Sequence, residues 1–527
     1  MNLFEEYINS AFGRAHGSAR SCVQYDYGYY GLMARGVVVL IIGALLGLVQ
    51  QAYAQNVNAL ANNLQRQLNS EDAQYRQDYF KETPIADRLM LDAGGTFRYA
   101  YNMIQNSQSQ SQYLTTPDVR LFLRAELDGG LRFFGRLRFL YNEWDTNGSR
   151  YLAPDAKERG WQNPIGEIYW GTFDLGGFTH ATAAESKQFN IVVQGGRNYV
   201  IWGQGLVLSN YMYAIKTELT LGDLGIEGMF AQTAGEDTVD WDTSRPGFDT
   251  NTSRIYSGMK IDWRGFAAHK PYVYALWQTD QNGGQQNNLG SNAFPIPTTF
   301  NYNSGYAGGG SIGSLGPNLV YRGEFAYEFG STLSDSLNPS SPSLSQPQVE
   351  TDISAAAGIA GLTYLLRDEG DTRFDLSVLA GSGDKNRLDS GTTFGGIAPN
   401  NVDRSFNSLG YINTGFALAP DPANLLCPSV GLSTNLLPSV SWTRDLRLGM
   451  TGYLFTKIDN QAPINILTRP GGSNLIGGEI DTTLDWRISS DINFNIRYGV
   501  FIPNSSVFYN NQGAIRQFFY VGMTYAF

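Results

Sequence analysis

The chain holds 527 residues with a formal net charge of −11, 13% aromatic residues, 16% charged residues and 60 glycines. That length exceeds one soluble β-domain of ordinary size and suits a single large barrel. A mean hydropathy of −0.25 excludes a bundle of spanning helices, each needing about 20 apolar residues, and the acidic balance disfavours nucleic acid as a partner.

One continuous apolar run exists, Gly36 to Val49, after Met33-Ala34-Arg35 and before Gln50-Gln51-Ala52-Tyr53-Ala54. A short basic start, an apolar core and an A-x-A ending describe a secretory signal peptide cut after Ala54, with Met33 as the expected initiator. Residues 1–54 are therefore read as an upstream segment plus signal peptide. Beyond them only Cys427 remains, which argues against a disulfide framework. In residues 55–87, Val57, Leu60, Leu64 and Leu68 fall at helical spacing among Asn, Gln and Arg, which predicts a short periplasmic helical arm.

Residues 88–527 read differently. Val119, Leu121, Leu123, Ala125 and Leu127 alternate with Arg120, Phe122, Arg124 and Glu126. After Asp128-Gly129-Gly130, Leu131, Phe133, Gly135, Leu137, Phe139 and Tyr141 alternate with Arg132, Phe134, Arg136, Arg138 and Leu140. Period two on both sides of a Gly-containing three-residue turn predicts a hairpin with Leu127 opposite Leu131. Arginine at a bilayer midplane costs roughly 2–4 kcal/mol. Five outward arginines would cost on the order of 10 kcal/mol, comparable to a whole folding stability, so Arg120, Arg124, Arg132, Arg136 and Arg138 are expected to face a lumen. The same register sets Glu126 against Arg132, an ordinary pair, and Arg120 against Arg138, a like-charge pair that a purely structural sheet would avoid.

The scheme repeats. Leu319, Tyr321, Gly323, Phe325, Tyr327 and Phe329 alternate with Arg322, Glu324 and Glu328 among others. Ile480 to Ile488 and Ile492 to Val500 flank Ser489-Ser490-Asp491. Further strands are expected near 89–103, 164–175, 189–202, 213–232, 254–264, 270–279, 351–366, 372–382, 436–442 and 446–458. Short turns (128–130, 368–371, 443–445, 489–491) alternate with long links (142–163, 233–253, 280–302, 330–350, 383–435), as periplasmic turns and extracellular loops do. The expected fold is all-β, a transmembrane antiparallel β-barrel of about 16–18 strands, wide enough for an aqueous channel.

Motifs for other chemistry fare poorly. Gly309-Gly310-Ser311-Ile312-Gly313 fits a nucleophile-elbow pattern, but a Gly-rich strand lacks the strand–turn–helix setting it needs. His180 and His269 are the only histidines beyond the signal segment, without zinc spacing. Asp237, Asp240, Asp242 and Asp249 crowd one loop, where a solvated acidic loop is a commoner explanation than calcium. No metal, cofactor or catalytic residue is expected.

Several short runs carry a resemblance: Gly196-Arg197 with Trp202-Gly203-Gln204-Gly205, Ser382-Gly383-Asp384, Phe406-Asn407-x-Leu409-Gly410-Tyr411, Ile476-Gly477-Gly478-Glu479-Ile480-Asp481 and Tyr498-Gly499-x-Phe501-x-Pro503. Their order across residues 190–527 resembles that of the alginate-export porins. Asn198 stands where that family usually has Gln, and the long-loop segment is altered. The resemblance implies a barrel that passes an anionic polysaccharide through an arginine-rich constriction, and it adds Arg197 to the pore-lining set.

The closing stretch, Gln517 to Phe527, sets Phe519, Val521, Met523, Tyr525 and Phe527 on one apolar face. It resembles the closing strand of bacterial outer-membrane barrels, which implies that Tyr525 and Phe527 serve assembly. The expected function is an outer-membrane channel for an anionic saccharide or small anionic solute, lined by Arg120, Arg124, Arg132, Arg136, Arg138, Arg197 and Arg322. Glu126, Glu324 and Glu328 are the expected lumen acids. Membrane lipid, the solute and the barrel-assembly machinery are the expected partners. The alternative is a surface enzyme or adhesin carried on a barrel scaffold.

Overall fold

The computed structural model describes residues 90–527 outside 106–110, 128, 146–158, 162–163, 180, 235–252, 282–285, 292–293, 300, 339–340, 388–395, 411, 444, 465–470 and 509–512. The expected signal peptide, the helical arm, His180 and the four-aspartate loop lie outside the described residues.

Eighteen strands form the barrel. They are β1 (Met90–Gln105), β2 (Ser111–Leu127), β3 (Leu131–Asp145), β4 (Ile165–Asp174), β5 (Phe189–Trp202) and β6 (Leu208–Leu221). Next come β7 (Leu224–Thr233), β8 (Arg254–Trp263), β9 (His269–Asp280), β10 (Tyr302–Ser314), β11 (Leu319–Leu333) and β12 (Glu350–Leu365). The last six are β13 (Arg373–Gly381), β14 (Leu425–Asn435), β15 (Leu446–Lys457), β16 (Leu475–Arg487), β17 (Ile492–Pro503) and β18 (Arg516–Ala526). Each pairs antiparallel with its neighbours in sequence, and β1 pairs with β18 from Thr96↔Ala526 to Ile104↔Phe518, which closes the ring. Closure leaves no free sheet edge in the membrane, where an unpaired backbone group has no water to bond.

Period-two patterning assigns the faces. Leu123, Phe133, Phe230, Phe325 and Val430 are all more than half exposed and belong to the outward rows, which is stable only against lipid. Short turns such as 222–223 and 488–491 gather at one end, and the 382–424 loop lies at the other, giving periplasmic and extracellular ends. The β4–β5 turn carries two short helices, α1 (Leu175–Phe178) and α2 (Ala183–Gln188). Thr182 and Glu185 form a reciprocal capping box that starts α2.

Three strand expectations need correction. The segment near 213–232 is two strands, β6 and β7, joined by Gly222-Asp223 with Gly222 at φ 61°. A two-residue turn with positive φ hides inside an otherwise continuous alternation. Residues 436–442 belong to a turn, and the descending strand is β14, which falls within the long link expected over 383–435. Pro428 interrupts that strand and blunts its β signal. The Gly-rich β10 was also absent from the expected strands, because its lumen row offers Gly308 and Gly310 where side chains would mark the period.

Candidate channel lumen

On β2, Asp118, Arg120, Phe122, Arg124 and Glu126 alternate with exposed leucines; on β3, Arg132, Phe134, Arg136 and Arg138 do the same. These rows face the lumen. The ladder pairs Leu127 with Leu131, Glu126 with Arg132 and Arg120 with Arg138, the register expected from the turn. The like-charged pair is reconciled by Asp118, whose oxygens lie 3.1 Å from Arg120 and 3.1 Å from Arg138. A second acid arrives through a β-bulge. Arg136 pairs with Ile168 and Leu137 with Gly166, which leaves Glu167 as the extra residue. Its carboxylate sits 2.7 Å from Arg136 and 3.4 Å from Arg120. Arg98, opposite Asp118 in the β1–β2 ladder, brings a fourth guanidinium toward that acid. Nearer the periplasm, Glu126 lies 2.7 Å from Arg124 and 3.6 Å from Arg132, and Arg132 lies 3.7 Å from Asp174.

Arg120 and Arg136 have side chains only 3% and 4% exposed. The β5–β6 hairpin accounts for this. Its own ladder runs up to Trp202↔Leu208, but β4 pairs with β5 only as far as Tyr169↔Arg197, and β7 pairs with β6 only as far as Met212↔Thr233. Past those rungs the hairpin has left the wall and forms a flap across the lumen. Gly196, at φ 143°, marks the point of departure; a Cβ there would lie 2.2 Å from the Tyr169 carbonyl oxygen. Tyr211 on the flap lies close enough to Glu167, Arg136 and Arg120 to feel their charges. Arg197 stands at the flap's root, buried, its guanidinium 5.8 Å from the Tyr213 ring centre. It shares a rung with Tyr169 and Tyr213 and does not join the lumen row of Arg120 to Arg138.

The flap tip docks on the lumen face of β9 and β11. Glu324 on β11 accepts hydrogen bonds from the Gln204 backbone N–H, from Tyr272 at 3.0 Å and from Tyr274 at 2.6 Å. The Gln204 side chain donates to the Gly323 carbonyl at 2.7 Å. Glu328, the next lumen acid along β11, holds the long extracellular loop instead. It accepts from Tyr302 at 2.6 Å, Tyr306 at 3.0 Å and the Asn407 N–H at 2.8 Å. Farther round the barrel, Glu479 on β16 accepts from the N–H groups of Phe416, Ala417 and Leu418 at 2.6–2.8 Å. Leu409-Gly410 adds a short parallel ladder to Leu208-Ser209, which ties the loop to the flap. A buried ion pair between Arg387 and Asp403 lies within the same loop.

The partners of Glu324 and Glu328 are therefore tyrosines and backbone N–H groups, and these two acids do not neutralise the arginines of β2 and β3. Arg322 is exposed at the periplasmic end of β11, with no carboxylate in ion-pair reach among the described residues. Sequence reasoning missed Asp118, Glu167 and Arg98. Asp118 shares the parity of Arg120 and was legible on that ground. Glu167 was not, because a bulge reverses the parity that alternation would assign.

Comparisons with known proteins come from two directions. The barrel is similar to Pseudomonas aeruginosa OccK8 (OprE), with a TM-score of 0.50 and 11% identity, covering 83% of this chain and 98% of that one. It is also similar to Acinetobacter baumannii OccAB4, with a TM-score of 0.51 and 9% identity, covering 84% and 100% respectively. At such identities these likenesses bear on the fold. No curated protein matches the sequence. A family model described as alginate export matches residues 225–516, more than half of the chain.

Proposed function

The chain belongs to the alginate-export family and is a channel of the bacterial outer membrane; from that premise we propose that its solute is an anionic saccharide, or a smaller anionic solute, attracted by arginines of the β1–β4 wall. The observation that carries this reading is an imbalance: Arg98, Arg120, Arg136 and Arg138 surround two carboxylates, Asp118 and Glu167. Four guanidinium groups gathered in one stretch of wall raise the local positive potential. Arg98 leaves its Nη1 buried without a hydrogen-bond partner, and Arg132 has a side chain 37% exposed. A passing carboxylate is drawn toward this concentration of positive charge. Narrow, low-dielectric walls focus such a local field, so the overall charge of −11 does not decide selectivity.

The test is a reversal potential across a planar bilayer in a salt gradient. Wild type should prefer the anion. The double variant Arg98→Gln/Arg132→Gln removes two guanidinium groups of this wall, Arg132 being the more solvent-open of the pair that flanks Glu126, and leaves the Arg120–Asp118–Glu167–Arg136 network in place. Each lost charge near the solute path is worth about 1 kcal/mol, roughly fivefold in permeability ratio. An unchanged ratio in the folded variant, or no conductance in wild type, would sink the reading; the latter would favour an enzyme or adhesin on a barrel scaffold.

A further inference from the structure

We infer that Phe122, Phe134 and Trp170 form a stacking rail on the lumen wall for the C–H faces of sugar rings, an inference that rests on the saccharide reading above and names a contact which that reading does not contain. The three side chains lie on the lumen rows of β2, β3 and β4, and each remains partly exposed. Several other lumen aromatics differ: Tyr302, Tyr306 and Phe518 on the wall are fully buried. The ring centres follow one another at 6.1 Å and 5.7 Å, with planes tilted by only 21° and 24°. Phe122 lies down against the wall because Gly94 sits beneath it; a Cβ there would come within 3.0 Å of the ring. Rings inclined alike, about one pyranose residue apart, offer successive seats to a saccharide chain.

The chemistry of the occupant follows from what borders the rings. An aromatic face carries negative charge density and attracts polarised C–H groups. Small inorganic anions have none and gain nothing from it. Arg124 is the cross-strand partner of Phe134, and the half-exposed Arg132 lies two residues along the same row. A sugar ring seated on Phe134 would thus turn its edge, with hydroxyl and carboxylate groups, toward two guanidinium groups. Rings beside arginines fit a uronate chain better than either a purely apolar or a purely ionic solute.

The experiment uses the assembled full barrel in planar bilayers, recording single-channel current interruptions by an alginate oligomer, a neutral glucan oligomer of equal length and benzoate. Phe134→Leu and Trp170→Leu keep apolar bulk but remove the flat face, and Trp170→Phe restores one. Each Leu variant should shorten the dwell time of both oligomers by about tenfold, with Trp170→Phe close to wild type and the small-anion conductance unchanged. Oligomer dwell times at the wild-type level in both Leu variants overturn the rail while leaving the anion reading intact. A wild-type channel blocked by benzoate alone overturns it too, since the rings would then serve an aromatic acid. Should the wild type fail to bind the alginate oligomer at all, the saccharide reading falls first and the rail with it. Loss of heat-modifiability in a Leu variant is resolved by Phe122→Leu, which alters the other end of the rail and should show the same dwell-time loss.

Discussion

Glu167 shows how much one bulged residue can determine. Without the extra residue in β4, its carboxylate would follow the outward parity, and Arg120 and Arg136 would be buried side by side with Asp118 as their only acid nearby. With it, each gains a carboxylate at 3.4 Å and 2.7 Å respectively. Removing one partner of a buried ion pair typically costs about 3–5 kcal/mol, because the charge left behind has lost its compensation. Glu167→Gln should accordingly lower the temperature at which the barrel loses its heat-modifiable form, while raising the anion preference of whatever folds. The two effects have opposite signs for usefulness, which separates a structural acid from a merely decorative one. Wild-type thermal stability in the variant would mean that Glu167 does not hold this cluster together. Charge reversal at Arg120 or Arg136 is less informative, since it would bury a third carboxylate beside Asp118 and Glu167 and read out as misfolding.

At the scale of elements, the flap and the long loop divide the lumen between them. Gly203 fixes the flap's contact: its φ is 62°, and a Cβ would stand 2.6 Å from the Glu324 Oε1 atom. A β-branched residue tolerates neither the backbone conformation nor the space. Gly203→Val should release the tip from Glu324, at a cost of about 1–3 kcal/mol for backbone strain alone, and increase single-channel conductance; a folded variant with wild-type conductance would show that the tip does not restrict the pore. The flap also marks a limit of sequence reading. Tyr199, Val200, Ile201 and Trp202 are as strand-prone as the residues of any wall strand, and only the loss of ladder partners distinguishes a strand that has left the wall. The β2–β3 register, by contrast, was fully legible from Leu127 and Leu131, since a turn of known length leaves no freedom of register. The family-like runs were legible as motifs and opaque as physics. Asn407 and Leu409 turn out to be where the long loop meets Glu328 and β6, and Glu479 is the wall acid that accepts from the loop's N–H groups at Phe416 to Leu418. Gly203-Gln204 is where the flap meets Glu324.

The whole molecule depends on the β1–β18 seam, which joins the first and last strands of the barrel wall. Contacts of such separation form late, after the entropy of closing the ring has been met. The seam ends with a reciprocal pair: the Gly95 N–H donates to the Phe527 carbonyl at 2.8 Å, and the Phe527 N–H donates to the Gly95 carbonyl at 3.0 Å. The Phe527 ring lies over Gly95, where a Cβ would approach to 2.6 Å of Cζ and to 2.8 Å of the Arg120 carbonyl oxygen. Two roles for Phe527 can therefore be told apart. If the ring matters by seating on Gly95, Gly95→Val should lower the yield of heat-modifiable barrel as much as Phe527→Asp does. If it matters chiefly as a signal to the assembly machinery, Phe527→Asp should leave the protein degraded or periplasmic, whereas Gly95→Val should assemble with a less stable seam. Urea unfolding of the assembled fraction reads that difference, because losing one buried hydrogen-bonded rung costs about 1–3 kcal/mol. Normal assembly and stability of the Asp variant would remove Phe527 from both roles and place the closure of the barrel on the inner rungs, Tyr99↔Met523 to Ile104↔Phe518.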